Sequence, residues 1–273
     1  MAKFQPVIKW SGSKRSQAEE ILKRFPKKID TYYEPFCGGA SMLRTLLESD
    51  IEVNRYICSD VCKPLIELWN LIKDKPKELC DAYELHHSLF KNERSDYFYK
   101  IRDEFNKYQS PYDFLFLLRT CANGMPRFNK KGEFNTPVHH GRDGINPHTF
   151  RNICYEWSEL LNRHNVEFIC QSYECIKTNI GDFVYLDPPY ANTKGMYYGL
   201  IDYDALWEWM RNQKGNYIMS FDGVSGKSDL TYDVPTDLFV KHEYILSGNS
   251  SFKRITHTSN NDIVYESLYL KNK

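Results

Sequence analysis

The stretch Phe183-Val184-Tyr185-Leu186-Asp187-Pro188-Pro189-Tyr190 decides the fold and indicates the chemistry of this chain. Its first four residues are aromatic or apolar and predict a buried strand. Because prolines fix φ and restrict the preceding residue, we expect Asp187 to be extended and the Pro188 carbonyl to point away from the chain. The acid, the carbonyl and the Tyr190 ring would then face one pocket. Such a pocket suits an exocyclic amine on a flat ring, and adenine is the obvious candidate.

The composition is that of a globular protein. Of 273 residues, 41% are hydrophobic and 15% aromatic, and 36 basic side chains balance 36 acidic ones. This length allows one large domain, or one domain with a sizeable insertion. No apolar run approaches the roughly 20 residues that span a bilayer, and the first residues lack the apolar core of a signal peptide. We therefore expect no membrane association and a cytoplasmic location.

Eight cysteines are scattered along the chain, and none forms a pair at the two-residue spacing of zinc or redox motifs. Reduced, mostly buried thiols are expected, and no metal site is predicted.

A local basic face is expected between residues 119 and 151, although the net charge of the chain is zero. Six Lys or Arg residues lie there against two acids, and histidines add to them. A solvated loop with incidental charge is the alternative. The basic positions are Arg119, Arg127, Lys130, Lys131, Arg142 and Arg151.

The pattern of turns, strands and helices predicts an α/β fold with an insertion. Residues 1–74 are interpreted as the cofactor-binding part, residues 75–147 as an inserted target-recognition subdomain, and residues 148–273 as the catalytic part. Helices are predicted over residues 13–25, 40–48, 64–72, 79–90, 97–108, 111–121 and 147–164. Strands are predicted over residues 30–36, 55–59, 166–170, 183–186, 217–221, 239–246 and 263–270. Residues 122–147 lack periodicity and are interpreted as a long loop or a short hairpin.

A second motif, Glu34-Pro35-Phe36-Cys37-Gly38-Gly39, is typical of a strand, a glycine turn and a helix start. Asp60 follows about 20 residues later, at the end of the next predicted strand, as in the Rossmann arrangement. The three-glycine dinucleotide fingerprint is absent, so a cofactor with a ribose but no phosphates fits better. S-adenosylmethionine has that chemistry, since its ribose hydroxyls can bond Asp60 and its carboxylate favours a helix N-terminus.

The segment Lys9-Trp10-Ser11-Gly12-Ser13-Lys14 adds a tight turn whose lysine and aromatic side chains could hold a carboxylate and cover a methionine arm. Together with the glycine turn, the helical insertion and Asp187-Pro188-Pro189-Tyr190, it resembles the Dam-type (class alpha) DNA adenine-N6 methyltransferases over nearly the whole chain. The expected fold is therefore a Rossmann-like methyltransferase sheet with an inserted helical and hairpin subdomain.

That resemblance implies roles for three sets of residues. The catalytic set is Asp187, Pro188, Pro189 and Tyr190. The set that binds S-adenosylmethionine is Trp10, Ser11, Gly12, Lys14, Glu34, Pro35, Phe36, Gly38, Gly39, Asp60, Ser172, Tyr173 and Asp187. The set that binds double-stranded DNA is Lys9, Asn123, Met125, Arg127, Asn129, Pro137, His139, His140 and Arg142.

Within the DNA-binding set, Arg127 is expected to read base edges, since arginine bonds guanine O6 and N7 in a bidentate way. The family tends to continue after Thr136-Pro137 with an aromatic, a glycine and a basic residue, whereas this chain has Val138-His139-His140-Gly141-Arg142. The resemblance therefore does not fix GATC as the target.

The expected reaction is direct transfer of the sulfonium methyl group to the N6 amine of an adenine flipped out of the duplex. Three alternatives share the motif. They are an RNA adenine methyltransferase, a cytosine-N4 methyltransferase, and an inactive methyltransferase fold that regulates by binding DNA. No obligate protein partner is indicated.

Overall fold

A mostly parallel sheet of eight strands forms the centre of this computed structural model, in which residues 4–190, 201–226, 228–249 and 263–271 are described. The strand order is β3-β2-β1-β4-β5-β8-β7, with the short β6 paired to β5. Strands β1 to β5 run parallel to their neighbours in that order, and β8 runs antiparallel to both β5 and β7. The strands are β1 (Lys28–Glu34), β2 (Glu52–Asp60), β3 (Val166–Cys170), β4 (Phe183–Leu186), β5 (Asn216–Ser225), β6 (Ser228–Asp229), β7 (Lys241–Asn249) and β8 (Ile263–Lys271).

Because β1 has β2 on one side and β4 on the other, the chain order reverses beside β1. Ligands of open α/β sheets bind at such a switch point, outside the carboxyl ends of the strands. The predicted Rossmann-like α/β class is confirmed, and the sheet places the ends of β1, β2 and β4 side by side.

Helices cover the sheet and build the insertion. Their starts follow local signals, since the Ser110 side chain accepts a hydrogen bond from the Asp113 amide and Asn146 caps the next long helix in the same way. The described helices are α1 (Ala18–Leu22), α2 (Ser41–Leu47), α3 (Lys63–Asp74), α4 (Pro76–Glu93), α5 (Ser95–Tyr108), α6 (Pro111–Thr120), α7 (Pro147–Arg163) and α8 (Tyr203–Arg211).

Two helix predictions need correction. The helix expected over residues 13–25 is the five-residue α1, because the chain first makes a turn in which the Lys14 carbonyl accepts from the Gln17 and Ala18 amides. Helix α8 lies between β4 and β5 and was not predicted, although Asp202 caps it. Residues 250–262, which connect β7 and β8, lie outside the described residues.

The inserted elements α4, α5 and α6 lie in the crossover from β2 to β3 and share one continuous buried cluster with the sheet. Phe105 and Phe114 stack within it, with ring centroids 5.0 Å apart. For residues 122–147 the sequence predicted either a long loop or a short hairpin. The structure shows a hairpin, which follows α6 and spans residues 121–139. Its arms meet through antiparallel bridges between Cys121 and Val138 and between Phe128 and Phe134. No helix in the described part of the chain is long and apolar enough to cross a bilayer.

Candidate active site

A cleft of about 260 Å³ opens at the carboxyl ends of β1, β2, β3 and β4, at the switch point of the sheet. It gathers residues from motifs that are more than 170 positions apart in the sequence. Of the residues predicted to bind the cofactor, those on the described lining are Trp10, Ser11, Gly12, Lys14, Glu34, Phe36, Gly38, Gly39, Asp60, Ser172, Tyr173 and Asp187. Pro35 follows β1 and is buried, and among the described residues it does not line the cleft.

The glycine turn after β1 is held by two tryptophans. Gly38 adopts a φ of 45°, and its carbonyl accepts a 2.9 Å hydrogen bond from Trp69 Nε1. A Cβ atom at Gly38 would lie 2.6 Å from Trp10 Cδ1, so only glycine fits at this point. The Trp10 side chain thus packs closely on the glycine turn, and together they form one wall of the cleft.

Asp60 ends β2 and turns its carboxylate toward that glycine turn. One oxygen accepts from the Gly38 amide at 3.3 Å and the other from the Cys62 amide at 3.0 Å. Burial raises the pKa of Asp60 to about 6, and these backbone hydrogen bonds oppose the shift. Each carboxylate oxygen retains a lone pair, so the group can still accept hydrogen bonds from a diol.

Ser172 and Tyr173 follow β3, which pairs with β2 so that Cys170 lies beside Asp60. The Tyr173 ring is buried and tilted against Phe36, with centroids 5.5 Å apart. Ser172 accepts a hydrogen bond from the Glu174 amide, which fixes the turn. Two tilted aromatic rings and the polar turn therefore form one wall of the cleft near Asp60.

Asp187 follows β4 and meets Lys14 from the other end of the chain. Lys14 Nζ lies 2.9 Å from Asp187 Oδ1, and the lysine side chain is only 5% exposed. Burial raises the pKa of Asp187 to about 6, while the nearby Lys14 charge opposes that shift. The ammonium also lies 4.8 Å from the centroid of the Tyr190 ring. Lys14 thus sits between the acid and the aromatic ring of the predicted catalytic tetrapeptide.

The prolines and the tyrosine of the tetrapeptide differ in position. Pro188 and Pro189 line the cleft, and the Pro189 carbonyl accepts a 2.8 Å hydrogen bond from the Tyr203 hydroxyl of α8. Tyr190 lies next to the residues that line the cleft. Its ring packs edge-on against the Phe221 ring, with centroids 5.7 Å apart. Helix α8, which the sequence did not predict, therefore stabilises the loop after β4 through the Tyr203 hydrogen bond.

Glu34, at the end of β1, is 3% exposed and accepts a 2.7 Å hydrogen bond from the Tyr32 hydroxyl. Burial raises its pKa to about 8, so this acid is largely protonated at neutral pH. A neutral carboxyl group next to the cleft can donate one hydrogen bond as well as accept others.

Glu266 of β8 is a site residue that no motif indicated. Its carboxylate lies 3.4 Å from Lys14 Nζ and accepts a 3.0 Å hydrogen bond from the Tyr190 hydroxyl. The only signal in the sequence is a charged residue inside a strand whose neighbours are mostly apolar or aromatic. That pattern alone does not say which pocket the charge faces.

The hairpin presents alternate faces to the core and to solvent. Phe128, Phe134 and Val138 are buried, whereas Arg127 and Pro137 between them are exposed. The Arg127 amide donates to Thr136 Oγ1 at 2.8 Å, which fixes the backbone under the exposed guanidinium. The other predicted DNA-binding residues also lie on or just after the hairpin: Asn123, His140 and Arg142 are exposed, and Met125, Asn129 and His139 are half-buried.

Lys9 connects the cleft to the hairpin. Its side chain packs on Gly124, where a Cβ atom would lie 2.6 Å from Lys9 Cδ. Partial burial lowers the pKa of Lys9, and the charges of Arg119 and Arg142 lower it further. One residue after Lys9, Trp10 forms the cleft wall, so base-reading and cofactor-binding candidates are adjacent in space.

The expected basic face is smaller than its six positions suggested. Arg119 is buried and donates to the carbonyls of Pro6 and Val7, and Arg151 pairs with Asp81 and Glu84 of α4. The exposed basic side chains of the region are Arg127, Lys130, Lys131 and Arg142. Arg119 instead fixes the N-terminal segment against α6.

Comparison with known proteins gives a consistent result. Residues 10–263 match the model of the D12 class of N6 adenine-specific DNA methyltransferases. The chain is 35% identical to the type II methyltransferase M.MjaIII of Methanocaldococcus jannaschii over 68% of this chain and 69% of that protein. It is also 35% identical to the DNA adenine methylase of Serratia marcescens, over 70% and 68% respectively. The solved structure of the rRNA methyltransferase aviRa from Streptomyces viridochromogenes aligns with a TM-score of 0.41 at 13% identity, covering 98% of this chain and 85% of that chain.

Proposed function

The chain belongs to the D12 class of N6 adenine-specific DNA methyltransferases, and we propose from this premise that its cleft binds S-adenosylmethionine and methylates adenine N6 in duplex DNA. The strongest support comes from Asp187. This carboxylate stands at the end of β4, on the same cleft as the glycine turn and Asp60. A methyl donor and an amine acceptor can therefore meet at one switch point of the sheet.

The chemistry of the cleft fits the proposed cofactor. Asp60 offers acceptors to the ribose hydroxyls, and Phe36 and Tyr173 offer an apolar wall to the adenine ring. Gly38, which has no Cβ, allows the methionine arm to approach the backbone closely. When bound, the cofactor supplies an activated methyl group on a sulfonium.

Asp187 and the loop after it would orient the amine. An N6 amine is a weak nucleophile, because its lone pair is delocalised into the purine ring. A hydrogen bond from each of its protons to the Asp187 carboxylate and the Pro188 carbonyl would favour the tetrahedral nitrogen that attacks. Transfer forms the N–C bond, breaks the S–C bond and leaves one surplus proton on the nitrogen. Asp187 would take that proton, and burial supports this role because it raises the pKa of the carboxyl group toward the working range of a base.

The hairpin would deliver the DNA. We assign base reading to Arg127, because its guanidinium is exposed above a backbone fixed by Thr136. Lys9 adds a second cation between the hairpin and the cleft. The target adenine must leave the duplex to reach Asp187, at a cost of a few kcal/mol that stacking on Tyr190 would partly offset.

The test is to incubate the protein with S-adenosylmethionine and unmethylated genomic DNA, and then to map modified bases by direct sequencing. We expect N6-methyladenine at one short sequence. N4-methylcytosine, or no modification of the DNA, would contradict the proposed substrate.

A variant series tests the role of Asp187. Asp187→Ala should still bind the cofactor and should lose methylation, by a factor of at least about 100. The matched control is Asp237→Ala, which removes an exposed carboxylate that pairs with Arg211. Substantial residual turnover in Asp187→Ala would contradict the assigned role.

A further inference from the structure

Two irregularities of the sheet converge on Glu266 of β8. On one side, the pairing of β8 with β5 shifts register between Phe221 and Val224. On the other, its pairing with β7 shifts between Leu246 and Gly248. Bulges of this kind often occur beside active sites, where they redirect a side chain. The β5 irregularity lies opposite Glu266 itself, and the β7 irregularity lies one residue away, between the pairing partners Tyr265 and Val264.

The irregularity on β5 requires a glycine. A Cβ atom at Gly223 would lie 2.2 Å from the Tyr265 carbonyl oxygen and 2.9 Å from the Glu266 Cα atom. The irregularity on β7 places Ser247 so that its hydroxyl donates to Glu266 Oε1 at 2.9 Å. The backbone on both sides therefore fixes the direction of one carboxylate.

The second carboxylate oxygen of Glu266 faces Lys14 and Tyr190. Oε2 accepts the Tyr190 hydroxyl at 3.0 Å and lies 3.4 Å from Lys14 Nζ, and the Glu266 side chain is 14% exposed. Lys14 is shared, since the same ammonium lies 2.9 Å from Asp187. A buried ammonium that loses its carboxylate partner is strongly destabilised. If Asp187 turns to an incoming amine, Glu266 is the acid that can keep Lys14 paired.

We propose that Glu266 is a positioning residue for methyl transfer. Its carboxylate accepts the hydrogen bond from the Tyr190 hydroxyl and so fixes the position of the ring. It also stays paired with the Lys14 ammonium when Asp187 leaves Lys14 to bond the N6 amine of the target base. This inference rests on the proposed function. It adds an acid to the site besides Glu34, Asp60 and Asp187, and this acid acts through Tyr190 and Lys14 rather than on the base.

The experiment compares Glu266→Gln with Glu243→Gln. The control changes a carboxylate of the adjacent strand β7 that pairs with Arg24 at 2.9 Å, outside the cleft. Single-turnover methylation is measured at saturating S-adenosylmethionine, on a duplex that carries the mapped target site. Base capture is followed by the fluorescence of 2-aminopurine at the target position.

We expect Glu266→Gln to slow transfer about 10- to 100-fold and to weaken base capture, because hydrogen bonds to a charged partner are lost. The dissociation constant for S-adenosylmethionine should stay within about twofold of the native value, and Glu243→Gln should resemble the native enzyme. Combining Glu266→Gln with Tyr190→Phe should cost less than the product of the two single effects, because both remove the same contact.

Ser247→Ala removes only the hydrogen bond to Glu266 Oε1, and it is the variant to test if Glu266→Gln fails to fold. A slower transfer in Ser247→Ala, with a native melting temperature, would then support the role, and a native rate would overturn it. A Glu266→Gln rate within about twofold of native, or an equal loss in Glu243→Gln, would also overturn it. An inactive native protein would instead refute the proposed function, and this inference with it.

Discussion

At the scale of single residues, burial sets the protonation of the acids in the cleft. Asp60 and Asp187 both have pKa values raised to about 6, and Glu34 has one raised to about 8, in each case chiefly through desolvation. Lys14 limits the shift at Asp187 through its positive charge. At neutral pH these three acids of the cleft thus comprise two carboxylates, which only accept hydrogen bonds, and one neutral carboxyl group, which can also donate one.

The raised pKa of Asp187 gives a pH dependence whose sign is fixed. In the proposed mechanism the ionised form accepts the amine proton, so the second-order rate for DNA at saturating cofactor should fall as pH drops through about 6. Below that point we expect a loss approaching tenfold per pH unit. Lys14→Met should move the profile to higher pH, because the charge that stabilises the carboxylate is gone. A rate that is unchanged down to about pH 5 would contradict ionised Asp187 as the acceptor.

At the scale of elements, the hairpin at residues 121–139 depends on helix α5 for its position. The Asn106 side chain donates to the Phe134 carbonyl at 3.1 Å and accepts from the Phe134 amide at 2.7 Å. One amide side chain thus replaces a strand partner on that arm of the hairpin. The Phe134 ring then packs edge-on against Phe105 of the same helix.

Asn106→Ala should therefore affect DNA binding more than cofactor binding. We expect a loss of about 1–3 kcal/mol in the free energy of unfolding, because two buried backbone groups lose their partner. DNA affinity should fall and the dissociation constant for S-adenosylmethionine should not change. Asn162→Ala is the control, since Asn162 likewise bonds a backbone carbonyl, that of Lys73, but outside the hairpin. Equal losses of DNA affinity in the two variants would contradict this role.

Elements with their own sequence signals were predictable, and contacts between distant segments were not. The strand before Asp187 and the cap of α6 at Ser110 depend on residues within a few positions, so pattern and turn chemistry indicate them. The start of α1 was wrong because Lys14 turns into the cleft toward Asp187, a partner 173 positions away. Glu266 was missed for the same reason, since Lys14, Tyr190 and Ser247 come together only in the folded sheet.

At the scale of the whole molecule, the even balance of charge hides an uneven distribution. The chain carries 36 basic and 36 acidic side chains, yet four exposed cations lie on or just after the hairpin, against the exposed Glu133. Glu133 itself accepts a hydrogen bond from Asn129 within the hairpin tip. Phosphate neutralisation needs only a local excess of cations, so a neutral protein can still bind DNA through this surface.

This distribution separates two kinds of contact within one surface. Arg127→Ala should relax discrimination at one base pair by about 1–3 kcal/mol, because a guanidinium that reads base edges is lost. Lys131→Ala should instead weaken binding to all sequences alike and reduce the salt dependence of the binding constant by about one unit of slope, as expected for one lost phosphate contact. The measurement is binding of matched and single-mismatch duplexes across a range of salt concentrations.

Arg163→Ala is the control. It removes an exposed arginine of α7 paired with Glu159, and it should change neither the mismatch penalty nor the salt dependence. If Arg127→Ala lowered all affinities uniformly and left the mismatch penalty intact, the guanidinium would be a phosphate contact, and base reading would have to come from other residues of the hairpin.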